Sequence, residues 1–332
     1  MSFAYITEEG ACIQKRGGVF VVGRNRETIM EIPEEVLEGL VLVGNVQVSS
    51  RAMTELLRLG IPVTWLSHTG RFFGRLESTQ HVQVFRQEKQ VLQRGSAFAL
   101  SLAKKCIAGK VHNQLTILRR YIRYNESPEI QKAVRQILAL RKHIFQSETS
   151  EQLMGYEGIM AREYFQALGR MVPPAFAFSV RSKQPPLDAF NAMLSLGYTL
   201  LLYEIYTALG NEGLHPYFGF FHALKNRHPA LASDLLEEWR AVIVDSMVLS
   251  LVHRHEIKPE HFEKNEDGSP GVFLTREGRA IFFRAYEKKM RTKNKYMEGS
   301  HSYRHTIGRQ VAQYAQAMMA QNLEMYEPIF LR

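Results

Sequence analysis

VFRQEKQVLQRGSAFALSLAKKCIAGKVHNQLTILRRYIRY, residues 84–124, is where this chain changes character. Its apolar side chains recur at the spacing that lines one face of a helix. Two further runs, SPEIQKAVRQILALRKHIF (127–145) and SEQLMGYEGIMAREYFQALG (150–169), carry the same period. MVPPAFAFSVRSKQPP (171–186) holds four of the twelve prolines and cannot be helical, so it should cross as a loop to the next helix. That helix is AFNAMLSLGYTLLLYEIYTALG (189–210), with Asp188 as its N-cap. A short element containing PYFGFFHAL (216–224) then ends in the polar turn KNRHP. ALASDLLEEWRAVIVDSMVLSLV (230–252) restarts as a helix of about 23 residues with Pro229 near its start. TREGRAIFFRAYEKKM (275–290) and SYRHTIGRQVAQYAQAMMAQNL (302–323) read as two last helices, joined by the basic RTKNKYMEGSH (291–301).

Upstream the texture is different. FAYIT, GVFVV, LVLVG, VQVSS, IPVTWLS and RFFGRLE are short β segments punctuated by Gly17-Gly18, Gly44-Asn45 and Thr69-Gly70. One short helix, SSRAMTELLRLG (49–60), sits among them, with Ser49 or Ser50 as N-cap and Gly60 as its stop. The fold class is therefore α+β: a small, mainly antiparallel β domain over 1–80, followed by a larger all-α domain over 81–332.

Composition narrows the setting. With 332 residues and 45% apolar content the chain can bury substantial cores, which argues against disorder. No run approaches the roughly 18 uninterrupted apolar residues of a membrane span, and the N-terminus lacks a basic segment followed by an apolar one. No membrane association and a cytoplasmic location are expected. Cys12 and Cys106 have no metal-binding or redox spacing and read as reduced, structural thiols. No GxxxxGK[ST] loop is present, so nucleotide hydrolysis is not expected.

The net charge of +9 is unevenly placed. Residues 1–80 hold eight Lys/Arg against nine Asp/Glu, whereas Arg86–Glu148 holds thirteen against four and Arg279–Arg309 nine against two. Two basic blocks flanking a near-neutral stretch suit a phosphate-backbone path.

The near-neutral stretch contains the candidate chemistry. In ASDLLEEWR, Asp234, Glu237 and Glu238 project from one side of a helix within about 100° of arc, while Leu235, Leu236 and Trp239 indicate that the helix is covered. Buried carboxylates need a partner or a metal. Glu157, in MGYEGIMAREYF, is a lone acid among apolar residues, and Gly155 and Gly158 beside it suit close approach of a backbone or substrate. His222 lies on the otherwise apolar GFFHAL.

Four stretches together resemble a known family, the CRISPR-associated spacer integrases (Cas-one). They are LMGYEGIMAREYF; KQPPLDAFNAMLSLGYTLLLYE; GLHPYFGFFHALKNRHPALASDLLEEWRAVIVD; and FLTREGRAIFFRAYE with the later SYRHTIGRQ, covering most of residues 150–310 in family order. The resemblance implies a metal site of Glu157, His222 and Glu237, with Asp234 in support. Asn226-Arg227-His228-Pro229-Ala230-Leu231 replaces the family's usual Gly-Arg-x-Ser-Leu turn. One imidazole and two carboxylates suit Mg²⁺ or Mn²⁺ better than structural zinc. The family also implies a metal-dependent DNA endonuclease and integrase, in which a 3′-hydroxyl of captured DNA attacks a phosphodiester at a CRISPR repeat. It further implies a homodimer, dimerising through the N-terminal domain, in a larger complex with Cas-two.

Arg162, Arg181, Lys183, Lys225, Arg227, Lys288, Lys289 and Arg291 are candidate nucleic-acid contacts. Asn191 and Glu238 are expected to support the ligands from behind. Two other functions fit the same residues: a repair nuclease for branched DNA or RNA, and a non-catalytic nucleic-acid-binding protein whose acidic cluster is structural.

Overall fold

The computed structural model describes residues 2–265 and 268–331. Its N-terminal part contains β1 (Ser2–Ile6), β2 (Cys12–Arg16), β3 (Val19–Arg24), β4 (Glu27–Pro33), β5 (Leu37–Val43), β6 (Gln47–Val48), α1 (Ser50–Arg58), β7 (Val63–Leu66) and β8 (Phe72–Leu76). They form two four-stranded sheets, ordered β1-β5-β7-β8 and β4-β3-β2-β6. Helix α1 is capped by Ser49, whose hydroxyl accepts from the Ala52 amide, and ends before Gly60, where φ is +69°.

The expected mainly antiparallel arrangement is corrected here. Strand pairs β1/β5, β5/β7 and β2/β6 are parallel, equal in number to the antiparallel pairs β2/β3, β3/β4 and β7/β8. The cause is visible in β5. Leu40 and Leu42 face a core shared with Ile13, Phe20, Leu56 and Val63, while Val41 and Val43 face the helices. A strand covered on both faces reads as an unbroken apolar run, and parallel pairing belongs with such burial.

The helical part begins with α2 (Val84–Leu92) and α3 (Ala97–Ile122). The 84–124 run is broken once, at Gln93–Ser96, where Gly95 has φ +74° and Ser96 caps α3. There follow α4 (Pro128–Gln146), α5 (Ser150–Arg170) and α6 (Ala189–Asn211). The proline segment crosses without regular structure apart from one turn at Pro174–Phe176, and Asp188 caps α6 by accepting from the Asn191 amide at 2.7 Å. Helix α6 is long and apolar enough to cross a membrane, but 61% of its apolar window is buried inside the fold, against α7 (Ala230–Trp239), α10 (Tyr303–Ala320) and their neighbours.

The helix expected over 230–252 runs as α7, a π-helical segment Arg240–Asp245 and α8 (Ser246–His253). The wider π turn shifts the phase of the residues after Trp239. The remaining elements are β9 (Phe262–Lys264), β10 (Val272–Leu274), α9 (Arg276–Arg291), β11 (Lys293–Tyr296) and β12 (Gly299–Ser302). The C-terminal part is thus not all-α. Two antiparallel hairpins interrupt it, and β11–β12 is the basic connector 291–301. These strands are short, and the connector's residues are mostly polar, so they lack the apolar alternation of a strand in a core.

Candidate metal centre

The centre is assembled from three helices and one irregular segment. Helix α3 contributes Lys110, α5 Glu157, α7 Glu237 and the segment before α7 His222. Lys110 hydrogen-bonds Glu157 Oε1, and its ammonium lies 2.5 Å from Glu237 Oε2. Lys110 is thus the polar partner of both carboxylates, including the buried Glu237 Oε2. Glu237 Oε1 meets Arg240 at 3.0 Å and faces His222 Nε2 at 3.9 Å. Two of the three expected ligands, Glu157 and Glu237, therefore meet at one buried positive charge, and the third, His222, faces the other oxygen of Glu237.

Electrostatics keep Glu237 ionised. Burial alone would raise its pKa, but Arg240, Lys110 and His222 outweigh it and hold the carboxyl at about 2. Burial likewise opposes charge on Lys110 and Arg240, yet the facing carboxylates leave both raised. Arg240 also lies over the Tyr198 ring at 5.0 Å, and Tyr198 in turn donates to Asp245 at 2.6 Å. Asp245, from the end of the π segment, accepts from Tyr164 as well.

Asp234 is not free to act as a ligand. Its Oδ2 accepts the Phe220 and Phe221 amides at 2.7 and 3.0 Å, and its Oδ1 accepts the His222 amide at 2.9 Å. The His222 ring Nδ1 lies 2.7 Å from the same Oδ1. An Nδ1–H donated to Asp234 leaves the Nε2 lone pair facing Glu237, the tautomer a metal-binding imidazole needs. The supporting-ligand expectation for Asp234 is thus corrected to a positioning role. Asp234→Asn should weaken metal binding or turnover by about 10–100-fold, measurable by Mn²⁺ titration and cleavage assays; an unchanged value would show that His222 needs no such hold.

Glu238 also departs from expectation. One residue past Glu237 it points about 100° away. There it accepts from Tyr326, from Gln310 at 2.9 Å and from the Ile329 amide at 3.0 Å, clamping the C-terminal segment onto α3 and α7. It supports that segment and not the ligands. Burial drives its pKa from 4.5 up to about 7, against the pull of those donors. The folded state therefore favours the protonated acid. The contribution of Glu238 to stability is full below about pH 4.5 and is lost as pH rises through about 7, about 3 kcal/mol in all. Glu238→Gln should remove this slope, so its urea stability should gain on wild type between pH 5 and pH 8; parallel curves would refute the assignment.

Among the nucleic-acid candidates, Arg181 and Lys183 are beside the centre. Arg181 donates to Asn191 Oδ1 at 2.9 Å and Ser195 Oγ at 3.0 Å and lies over the Tyr198 ring at 5.3 Å. Lys183 is exposed, and desolvation by the surrounding fold, with Arg240 and Arg181 beside it, lowers its pKa. Asn191 also holds the Val180 carbonyl, so it anchors the crossing loop and reaches the centre only through Arg181. Arg162 is exposed on α5 beyond Glu157, and Lys225 and Arg227 are exposed in the turn after His222. Lys288, Lys289 and Arg291 belong to the end of α9, where Arg291 pairs with Glu287 at 2.7 Å. Lys289 lies over the Tyr303 ring, its pKa pulled by burial to about 8.

Lys110, Arg240, Tyr198 and Asp245 were not among the sequence candidates. The signal for Lys110 was a lone lysine within CIAGKVHNQL, a stretch otherwise suited to a buried helix.

The family model for CRISPR associated protein Cas1 matches residues 4–288. The CRISPR-associated endonuclease Cas1 of Mycobacterium tuberculosis is 33% identical over 321 residues, covering 96% of this chain and 92% of that one. A Thermus thermophilus protein of the same description is 34% identical over 332 residues, covering 98% of each. Among solved structures, a chain of a Cas6-RT-Cas1–Cas2 complex superposes with a TM-score of 0.85 at 25% identity, over all of this chain and 36% of that one. A family match along most of the sequence, and relatives a third identical over nearly their whole length, establish that this chain belongs to the Cas1 family of CRISPR-associated endonucleases.

Proposed function

We propose that this protein is a spacer-acquisition integrase, a divalent-metal-dependent DNA endonuclease that joins the 3′-hydroxyl ends of captured DNA to a CRISPR repeat by transesterification. The observation that supports this reading is the placement of Glu157 and Glu237 on one buried cation, Lys110, with His222 Nε2 facing Glu237 at 3.9 Å. The donor set fits a hard divalent ion: two carboxylates, one imidazole with its second nitrogen already committed to Asp234, and a buried Glu237 oxygen whose partner is the Lys110 ammonium. Glu157, His222 and Glu237 would hold Mg²⁺ or Mn²⁺. Bound there, the ion would polarise a phosphate oxygen and stabilise the departing oxygen.

The chain's own residues supply the rest. Asp234 fixes the His222 ring, and Tyr198 carries the Arg240 and Arg181 guanidinium groups. With Lys183 they give the centre a positive margin to hold a phosphodiester in line with an incoming hydroxyl. We further propose that the protein acts as a homodimer and with a Cas2 partner, the partner by analogy with the related chain in the Cas6-RT-Cas1–Cas2 complex.

The test is strand transfer of a labelled 3′-hydroxyl duplex into a repeat-bearing plasmid, with added Cas2 and with Mn²⁺, Mg²⁺ or EDTA. Metal-dependent joining that is lost in Glu157→Ala and His222→Ala, with DNA binding kept, is the expected result. DNA binding without joining or cleavage under any condition would overturn it in favour of a non-catalytic binding protein.

A further inference from the structure

Lys110 is 3% exposed, and its ammonium sits between carboxylates brought by two other helices. Each oxygen it contacts, Glu157 Oε1 and Glu237 Oε2, is an oxygen that a divalent ion at this place would need. A dication and an ammonium repel each other and cannot both contact these two oxygens. Without either, Glu157 and the Oε2 of Glu237 would face one another, with Arg240 on the far oxygen of Glu237, and like charges so placed are costly to bury. The lysine stem has four rotatable carbons, so the head can withdraw while the helix stays in place.

We propose that Lys110 is the centre's resident counter-ion, and that a divalent metal enters by displacing its ammonium from between Glu157 and Glu237. The inference rests on the metal-site reading above. It gives Lys110 a positioning role with two opposed consequences: the lysine holds the metal-free fold together and weakens the apparent affinity for metal.

The experiment is titration of the full-length protein with Mn²⁺ alone, without DNA. Free Mn²⁺ is followed by electron paramagnetic resonance and heat by calorimetry, for wild type, Lys110→Met, Lys110→Gln and Glu237→Gln. The thermal midpoint of each is recorded in EDTA and in saturating Mn²⁺. Displacement predicts that Lys110→Met binds Mn²⁺ at least about tenfold more tightly than wild type. It also predicts a lower midpoint in EDTA and a larger rise on adding Mn²⁺. Lys110→Gln, which keeps a polar head, should show the same direction and serves if the methionine variant does not fold. A lysine that only fills space would give the lower midpoint without the tighter binding, and that result would overturn the proposal. If Glu237→Gln abolishes Mn²⁺ binding while both Lys110 variants bind as wild type does, the metal site stands and displacement fails. If neither wild type nor the Lys110 variants show saturable binding, both readings fail together.

Discussion

Glu237→Gln is expected to lower metal-dependent strand transfer and cleavage by more than about 10²-fold, since loss of a supporting group behind a ligand already costs about 10–100-fold. The substitution keeps the volume of the side chain and removes one charge. Glu237 is the residue on which Lys110, Arg240 and His222 all bear, so no neighbour can take over its place. Its carboxyl stays ionised until about pH 2, and the stabilisation it draws from those cations is present above about pH 4.5 and is lost only as pH falls towards 2. The loss of activity should therefore be the same across the neutral range, with no pH at which the variant recovers. Rates measured at pH 6, 7 and 8 with Mn²⁺, alongside DNA binding, decide the matter. Near-normal rates would remove Glu237 from the centre.

Arg304→Ala should cost roughly 3–5 kcal/mol of folding stability, because it strips the partner from the buried Glu204 carboxylate. Arg304 grips both oxygens of Glu204 at 2.8 Å and both oxygens of Glu287 at 3.0 and 2.8 Å, and its guanidinium lies over the Phe3 ring at 4.7 Å. One side chain of α10 thus ties α6, α9 and β1. Burial raises the Glu204 pKa despite the pairing, which shows how unfavourable that carboxylate becomes once Arg304 is gone. Arg304→Lys should recover only part of the loss, since a single ammonium cannot match two planar carboxylates. Urea unfolding gives the answer as a shift of midpoint with the slope kept. A midpoint within error of wild type would mean that the network contributes nothing net.

The sequence made the helices readable because their apolar spacing and caps are local properties. Asp188, Ser49 and the proline segment each act over a few residues, and each behaves as its chemistry requires. Strand direction was not readable in the same way. LVLVG carries the mark of a strand covered on both faces, but which strands lie beside it depends on partners distant in sequence. The acidic cluster shows the same divide. Helical spacing puts Asp234, Glu237 and Glu238 on one arc, but only packing decides that Asp234 turns to the loop before it, Glu237 to Lys110 and Glu238 to the C-terminal segment. Lys110 lies 47 residues from Glu157 along the chain and was invisible as a partner for that reason.

Strand β5 has one further consequence. Its odd and even residues are built into different cores, Leu40 and Leu42 into one and Val41 and Val43 into the other. Neither half of the protein can melt without pulling apart a wall of its neighbour. A cut near residue 80 would leave each fragment with a raw apolar surface in place of a finished boundary, so the two halves are expected to unfold together.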